Sequence, residues 1–171
     1  SNATGFPAHR VAVIRNGVDT DRFRANSATR AAMRQQYGLL PEEFCIGTVA
    51  RLDPVKDIGT LLEAVRQLPP ERLRWRLLIA GSGPELPELI RRMEAHAVLK
   101  ERVRFVGELR DIPGFLNALD AYVLSSLFEG ISNSLLEAMA SSLPVIVTDV
   151  GGNREVVIDG VSGIMFPPQD V

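Results

Sequence analysis

The side chains best suited to handling a polar ligand are two cations, Arg51 and Lys56 in the loop RLDPVK, and two carboxylates, Glu129 and Glu137 in the segment EGISNSLLEAMA. An arginine can fork two oxygens of a phosphate and a lysine adds a compact charge, so together they suit a diphosphate. On spacing alone a plainer account has the edge: two solvated surface charges paired with Asp53 or Asp57. The carboxylates invite comparison with a glycosidase acid/base pair. Much of the interval between them is helical in pattern, which sets their backbones roughly 10–12 Å apart. Retaining glycosidases hold their carboxyls about 5 Å apart and inverting ones up to about 9.5 Å. The wider spacing suits two separate parts of one elongated ligand. Glu137 also completes the pattern S-x-x-E with Ser134, a capping box in which its carboxylate returns to the Ser134 backbone N–H. Capping and ligand binding are balanced accounts of it. Glu129, ahead of Gly130 at a strand end, has no standard local partner.

Other candidates carry less. Gly81-Ser82-Gly83 would need a third glycine where Leu86 stands to make a dinucleotide fingerprint, and it follows the second core strand instead of the first. A tight strand-to-helix turn accounts for it. His9 lies in a lead-in segment and His96 near the end of an amphipathic helix, so neither reads as a catalyst. One cysteine and two separated histidines leave no zinc-ligand pattern, and neither a P-loop nor a G-x-S-x-G elbow occurs. Cys45, in the apolar run FCIGTVA, reads as a small core residue in a reducing compartment.

These residues need a frame that brings them to one edge. Phe44–Ala50 is a near-continuous apolar run, the pattern of a strand covered on both faces. Further strands are predicted at Trp75–Ala80, Val103–Val106, Asp120–Ser126, Pro144–Thr148 and Gly163–Phe166. Helical spacing links Ile58 to Leu68, stopped by Pro69-Pro70, and Leu86 to Ala97. Shorter helices are predicted at Thr29–Tyr37, around Ile112–Leu116, within Glu129–Ala140 and around Arg154–Ile158. Residues 4–25 read as a lead-in, with an extended patch at Val11–Ile14 and a turn at Asn16-Gly17. Strands alternating with helices imply right-handed βαβ units. The expected fold is α/β: a Rossmann-like, doubly wound, mainly parallel six-stranded sheet with helices on both faces, over residues 26–171. Such sheets bind ligands beyond the carboxyl ends of their strands, where a helix N-terminus offers unpaired N–H groups to an anion. The RLDPVK loop and the entry into EGISNSLLEAMA both fall at strand ends.

With 171 residues and 46% hydrophobic content, the chain can bury one sizeable core. Charged residues make up 23% and the net charge is −2, which argues against nucleic acid as a partner. No apolar run approaches the roughly 18 residues that span a bilayer, and no signal-peptide pattern opens the chain. Residues 1–3 (SNA) read as an expression-tag remnant, and FPPQD near Val171 precedes a place where another helix could begin, so both ends read as cuts within a longer protein.

In order, NGVDTDRF (Asn16–Phe23), GTVARLDPVKD, LLIAGSGPEL, RVRFVGELRDIP, DAYVLSSLFEGISNSLLEAMASSLPVIVTDVGGNREVV and DGVSGIMFPPQD cover nearly the whole chain. Together they resemble the C-terminal, donor-binding domain of the GT-B glycosyltransferases, in particular the retaining family 4, or group 1, enzymes. The resemblance implies a nucleotide sugar, a UDP- or GDP-sugar, as donor substrate and no metal. It implies that Arg51 and Lys56 neutralise the donor diphosphate and that Glu129 meets hydroxyls of the transferred sugar. Ile131, Ser132 and Asn133 would supply backbone N–H groups to the sugar and distal phosphate, and Glu137 would bind the ribose hydroxyls. Phe105, Val106, Gly107 and Leu109 would form the base-binding edge. The sequence departs from the family pattern at Ser142, where glycine is usual, and at Arg154, where proline is frequent. The resemblance also implies a missing N-terminal GT-B domain, an unknown acceptor (glycan or lipid-linked), and a cytoplasmic location at the inner face of the membrane. A piece holding only this half is expected to bind donor and transfer nothing. The main competing reading is a non-catalytic nucleotide-sugar-binding regulatory module. A nicotinamide dehydrogenase is set back by the broken glycine fingerprint, and a phospho-receiver by ARLD where paired acids belong.

Overall fold

The computed structural model describes residue 12, residues 14–69 and residues 73–171. The SNA segment, His9, Val11 and Val13 of the extended patch, and Pro70 lie outside the described residues. Six strands form one parallel sheet: β1 (Phe44–Val49), β2 (Trp75–Ala80), β3 (Val103–Gly107), β4 (Ala121–Leu124), β5 (Val145–Thr148) and β6 (Ile164–Phe166). Their order is β3-β2-β1-β4-β5-β6. The helices are α1 (Ser27–Tyr37), α2 (Ile58–Arg66), α3 (Leu86–Glu94), α4 (Ala97–Arg102), α5 (Ile112–Ala118), α6 (Asn133–Ala140) and α7 (Asn153–Val156).

Strand alternation divides the core in two. Ile46, Leu77, Ile79 and Val123 face one way and meet Leu61, Leu62 and Val65 of α2, Leu89 of α3 and Leu99 of α4. Cys45, Leu78, Tyr122, Val145 and Val147 face the other way and meet Phe115 and Leu116 of α5 and Leu135 and Ala138 of α6. The doubly wound α/β fold expected from the apolar pattern is therefore present. The chain winds outward from β1 to β3, then returns past β1 and winds outward again from β4 to β6. Right-handed crossovers in opposite directions place α2–α4 on one face and α6–α7 on the other. One consequence is an apolar groove of about 470 Å³ beside α2, floored by Ile46, Val123, Ile146 and Phe166.

Two expectations need correction. The helix predicted from Leu86 to Ala97 ends at Glu94, and His96 adopts extended geometry (φ −128°) before a separate helix, α4, begins. His96 is thus an exposed break between two helices. The lead-in is also less idle than its composition implied: Phe23 is buried at 4% exposure in the α5/α6 core.

A part-buried ion cluster joins α1 to the sheet. Asp120 accepts from Arg30 (2.5 Å), Arg34 (3.0 Å) and the Cys45 backbone N–H (2.7 Å). Arg34 spends its other donors on the carbonyls of Ala118, Leu40 and Glu43, which is how a guanidinium survives burial. Cys45 beneath it is fully enclosed, and burial pushes its thiol up to about 12. It is an inert core group.

The end of α6 explains the departure at Ser142. Leu143 N–H returns to Ala138 O (3.1 Å) and Ser142 N–H to Met139 O (2.9 Å), the paired bonds of a Schellman stop. That stop puts Ser142 at φ 62°, where a Cβ is strained and glycine is not. Ser142→Gly is expected to stabilise the fold by about 1 kcal/mol. Urea unfolding checks this, and a loss of stability would contradict it.

Candidate active site

The order reversal falls between β1 and β4, and the chain beyond their carboxyl ends carries the candidate cations and carboxylate. After β1, Ala50 and Leu52 continue pairing with Ala80 O and Ser82 O (3.0 and 2.8 Å). A Cβ on Gly81 would lie 1.8 Å from Ala50 O, and one on Gly83 would lie 2.2 Å from Leu52 O. Gly81-Ser82-Gly83 therefore does more than turn the chain. It lets the second loop lie flush against the backbone that flanks Arg51.

Arg51 is largely exposed and faces Asp53 at 3.6 Å. Lys56 closes a short 3-10 turn, Pro54–Lys56. Of the two pairings that the plainer account offers, Arg51 makes the one with Asp53, and Lys56 does not pair with Asp57. Asp57 is spent on capping α2, where it accepts from the Thr60 hydroxyl (2.7 Å). Lys56 instead crosses to Glu129, at 2.6 Å. Glu129 is 8% exposed and accepts a second bond from Ser126 Oγ (2.7 Å), so the carboxylate that lacked a standard partner has two.

The loop that carries Glu129 is held from below by a second glycine pair. A Cβ on Gly151 would sit 1.9 Å from Glu129 O, and one on Gly152 would sit 2.3 Å from Gly130 O. Gly152 N–H binds Glu129 O at 3.1 Å. From above, Asn16 Nδ2 donates to Ile131 O at 2.9 Å. Neither contact was anticipated. Asn16 has no local signal, being 115 positions away; the Gly-Gly step was a visible one. Arg154, the other departure from the family pattern, forms a forked pair with Asp149 on the exposed surface.

The capping box does not form. The N-cap of α6 is Ser132, whose side chain accepts from Leu135 N–H, so the third helical position is Leu135 and Glu137 sits too far along to cap. Ser134 lies in the first turn and its Oγ accepts from Tyr122 Oη (2.8 Å). Glu137 is half-buried, and its carboxylate has no hydrogen-bond partner among the described residues. Burial raises its pKa above the ordinary carboxylate value, with Arg22 pulling the other way. Its carboxylate is unspent.

Arg51, Lys56, Glu129, Ile131, Ser132 and Asn133 line one cleft of about 430 Å³, together with Val49, Ala50 and Ser134. The backbone N–H groups of Ile131, Ser132, Asn133 and Ser134 have no acceptor among the described residues. Glu137 is not part of that lining, and neither is the predicted base edge. At that edge Phe105 packs with the α2–α4 core, whereas Val106 and Leu109 pack with the opposite one. Gly107, at φ 74°, carries the carbonyl that accepts Gly81 N–H (2.8 Å). Gly151→Ala, which adds both a left-handed strain (φ 47°) and the backbone clash, is expected to destabilise the fold by about 2 kcal/mol. Guanidinium unfolding measures it; a neutral effect would mean the two loops do not need this close approach.

Comparison with known proteins bears on what the cleft is. The family model for glycosyl transferases of group 1 matches residues 43–171. The lipopolysaccharide core biosynthesis mannosyltransferase LpsB of Rhizobium meliloti is 36% identical over 166 residues, covering 93% of this chain and 47% of that protein. An Escherichia coli UDP-Gal:α-D-GlcNAc-diphosphoundecaprenol α-1,3-galactosyltransferase is 31% identical, covering 95% of this chain and 42% of that one. Among solved structures, Anabaena HepE in complex with UDP-glucose superposes with a TM-score of 0.86 at 30% identity, over 96% of this chain and 45% of that one. The C-terminal domain of a group 1 glycosyl transferase from Francisella tularensis gives a TM-score of 0.76 at 28% identity, over 89% of this chain and 80% of that one. The chain spans about half the length, or less, of the curated relatives it matches. By sequence match and by fold, this chain belongs to the group 1 glycosyl transferases, with the Rossmann-like architecture of the GT-B enzymes.

Proposed function

We propose that the cleft binds a nucleotide sugar and that the chain is the donor-binding part of a retaining glycosyltransferase. One observation carries the reading. Residues 131–134 at the start of α6, whose backbone N–H groups have no acceptor among the described residues, line the same cleft as Arg51 and Lys56. A helix start flanked by two cations is an anion site, and two adjacent phosphates fill it better than one. The crystallised complex of HepE with UDP-glucose supports the ligand class.

In this reading Arg51 and Lys56 neutralise the diphosphate, and Ile131, Ser132 and Asn133 donate to the distal phosphate and the sugar. Glu129 accepts from sugar hydroxyls, and Glu137, left without a capping role, accepts from the ribose. Gly107 and Leu109, with Phe105 and Val106 behind them, border the base. As the bond from sugar to distal phosphate breaks, negative charge gathers on that phosphate while the sugar becomes oxocarbenium-like. Fixed N–H dipoles and the two cations stabilise the charge without reorganising, so the step as proposed draws on no metal ion. The acceptor enters on the same face as the departing diphosphate, giving retention. Residues on the acceptor side belong to the other half of a longer enzyme, so this chain alone binds donor and transfers nothing. A glycan or lipid-linked acceptor fits the names of the relatives, and we place the longer enzyme at the inner face of the membrane. Among the described residues no helix is long and apolar enough to cross a membrane.

Calorimetry against UDP-, GDP- and ADP-sugars tests the reading. Arg51→Ala and Lys56→Ala are each expected to weaken binding by about tenfold or more, the scale of a hydrogen bond to a charged group. Unchanged affinity in both variants would remove the site assignment.

The raised pKa of Glu137 gives an independent test with a defined sign. Ribose hydroxyls donate to the ionised carboxylate, so binding favours loss of its proton. Affinity is therefore full above the pKa of the free protein and falls as pH drops through it, and the fall begins above the ordinary value of 4.5. A nucleotide sugar is the right probe, because its doubly esterified diphosphate does not titrate in this window. In Glu137→Gln this part of the pH dependence disappears; persistence of the full dependence would assign it elsewhere.

A further inference from the structure

The two serines that directly follow β4 grip both halves of the clamp. Ser125 Oγ donates to the backbone carbonyl of Lys56 (2.9 Å), and Ser126 Oγ donates to Glu129 Oε1 (2.7 Å). Both are buried, Ser126 completely. Consecutive residues of an extended chain point to opposite sides, so one dipeptide reaches the cation loop with one side chain and the carboxylate with the next. The Ser126 peptide is itself fixed: its carbonyl accepts from Thr148 Oγ1 (2.7 Å), and the Thr148 carbonyl accepts from Asn153 Nδ2 (2.9 Å). Thr148 and Asn153 are fully buried, so the serine is braced from β5 and α7.

We infer that Ser126 is a positioning residue that fixes which oxygen of Glu129 is offered to the sugar. The inference rests on the donor-site reading of the cleft. Ser126 and Lys56 both bind Oε1, and Oε2 has no partner among the described residues. Oε2 is therefore the oxygen left to accept from a sugar hydroxyl. Lys56 has a second destination, because a diphosphate in the cleft draws it off Glu129. Ser126 has none. Once Lys56 turns to the phosphates, the serine hydroxyl alone keeps the carboxylate from rotating about its last torsion, a soft two-fold one. Ser126 thus contributes to recognition of the sugar and not of the diphosphate.

The test separates the two ligand parts. The wild-type chain is titrated with UDP-glucose, UDP-galactose, GDP-mannose and ADP-glucose, and with UDP, GDP and ADP. For the tightest nucleotide sugar, the ratio of its affinity to that of its bare nucleoside diphosphate isolates the sugar contribution. In Ser126→Ala this ratio is expected to fall about fivefold, the scale of one hydrogen bond, while affinity for the bare diphosphate stays within about twofold. Glu129→Ala should lower the same ratio, and adding Ser126→Ala to it should change nothing further, because the serine acts only through the carboxylate. A serine with a merely structural role would weaken both ligands alike. An unchanged ratio in Ser126→Ala, or additive losses in the double variant, overturns the inference while leaving the donor site standing. A wild-type chain that binds no nucleotide or nucleotide sugar overturns the donor-site reading itself. A crystal structure of the wild-type chain with its nucleotide sugar decides the matter without any variant. Ser126 Oγ must remain on Oε1 with Oε2 facing a sugar hydroxyl, and a carboxylate turned away from Ser126 refutes the assignment.

Discussion

The handedness of the crossovers governs most of what this molecule can do. A right-twisted strand followed by a helix packs back on its own sheet in one sense only. The strand order reverses between β1 and β4, and with that fixed hand the winding from β1 to β3 and from β4 to β6 must place the helices of the two halves on opposite faces. At that reversal the connections after the two strands leave in opposite directions, α2 to one face and α6 to the other. Nothing from the sheet fills the space between them. Arg51 and Lys56 arrive on the first connection and Glu129 and the α6 start on the second, so a cleft forms without either loop having to bend toward the other. Residues 73 positions apart then meet in a 2.6 Å ion pair.

That pair bears on how the cleft takes a charged ligand. Glu129 is nearly enclosed, and an enclosed carboxylate is costly unless its charge is met. Lys56 and Ser126 meet it, while the N–H groups at 131–134 have no acceptor among the described residues and the exposed Arg51 is only loosely paired with Asp53. Under the proposed function, a ligand that brings its own negative charge would take Lys56 from Glu129 and return hydroxyl donors to the carboxylate. Charge is exchanged among partners and little is left bare, which keeps the cost of filling the site low. The same exchange links the two parts of a donor: the diphosphate frees the carboxylate that the sugar then needs.

The frame was readable because each signal was local. Near-continuous apolar runs such as WRLLIA, short and bounded by turn signals, read as strands covered on both faces, and the α2 stripe from Ile58 to Val65 reads at helical period. The errors came where two local signals competed. Leu86, Leu89, Met93 and Ala97 keep a helical spacing straight through the break at His96, since spacing records which face is apolar and not whether the backbone is continuous. Ser134 and Glu137 satisfied a capping pattern that Ser132 satisfied earlier, and Tyr122 from β4 claimed the Ser134 hydroxyl. Sequence carries no mark of a competitor on another strand. The same holds for Asn16 on Ile131 and for Lys56 on Glu129: their partners are chosen by topology, which becomes legible only after the strands are assembled.

The glycines show a different division of labour. Gly81 and Gly83 press against the Arg51 loop, and Gly151 and Gly152 against the Glu129 loop, each at a distance no side chain allows. The two halves of the clamp are therefore set by backbone resting on backbone, with little play. Phosphates are met mainly by main-chain N–H groups and by cations that need only reach them, so the side chains at Ile131, Ser132 and Asn133 are free of that duty. Recognition of a sugar has the opposite requirement. Its hydroxyls differ only in direction, and reading direction takes a carboxylate whose oxygens cannot trade places. A rigid glycine-packed floor, with Ser126 bracing one oxygen above it, supplies that fixed direction. In the proposed donor site, the part of the cleft that would hold a nucleoside diphosphate and the part that would tell one sugar from another therefore rest on different residues, although Lys56 touches both.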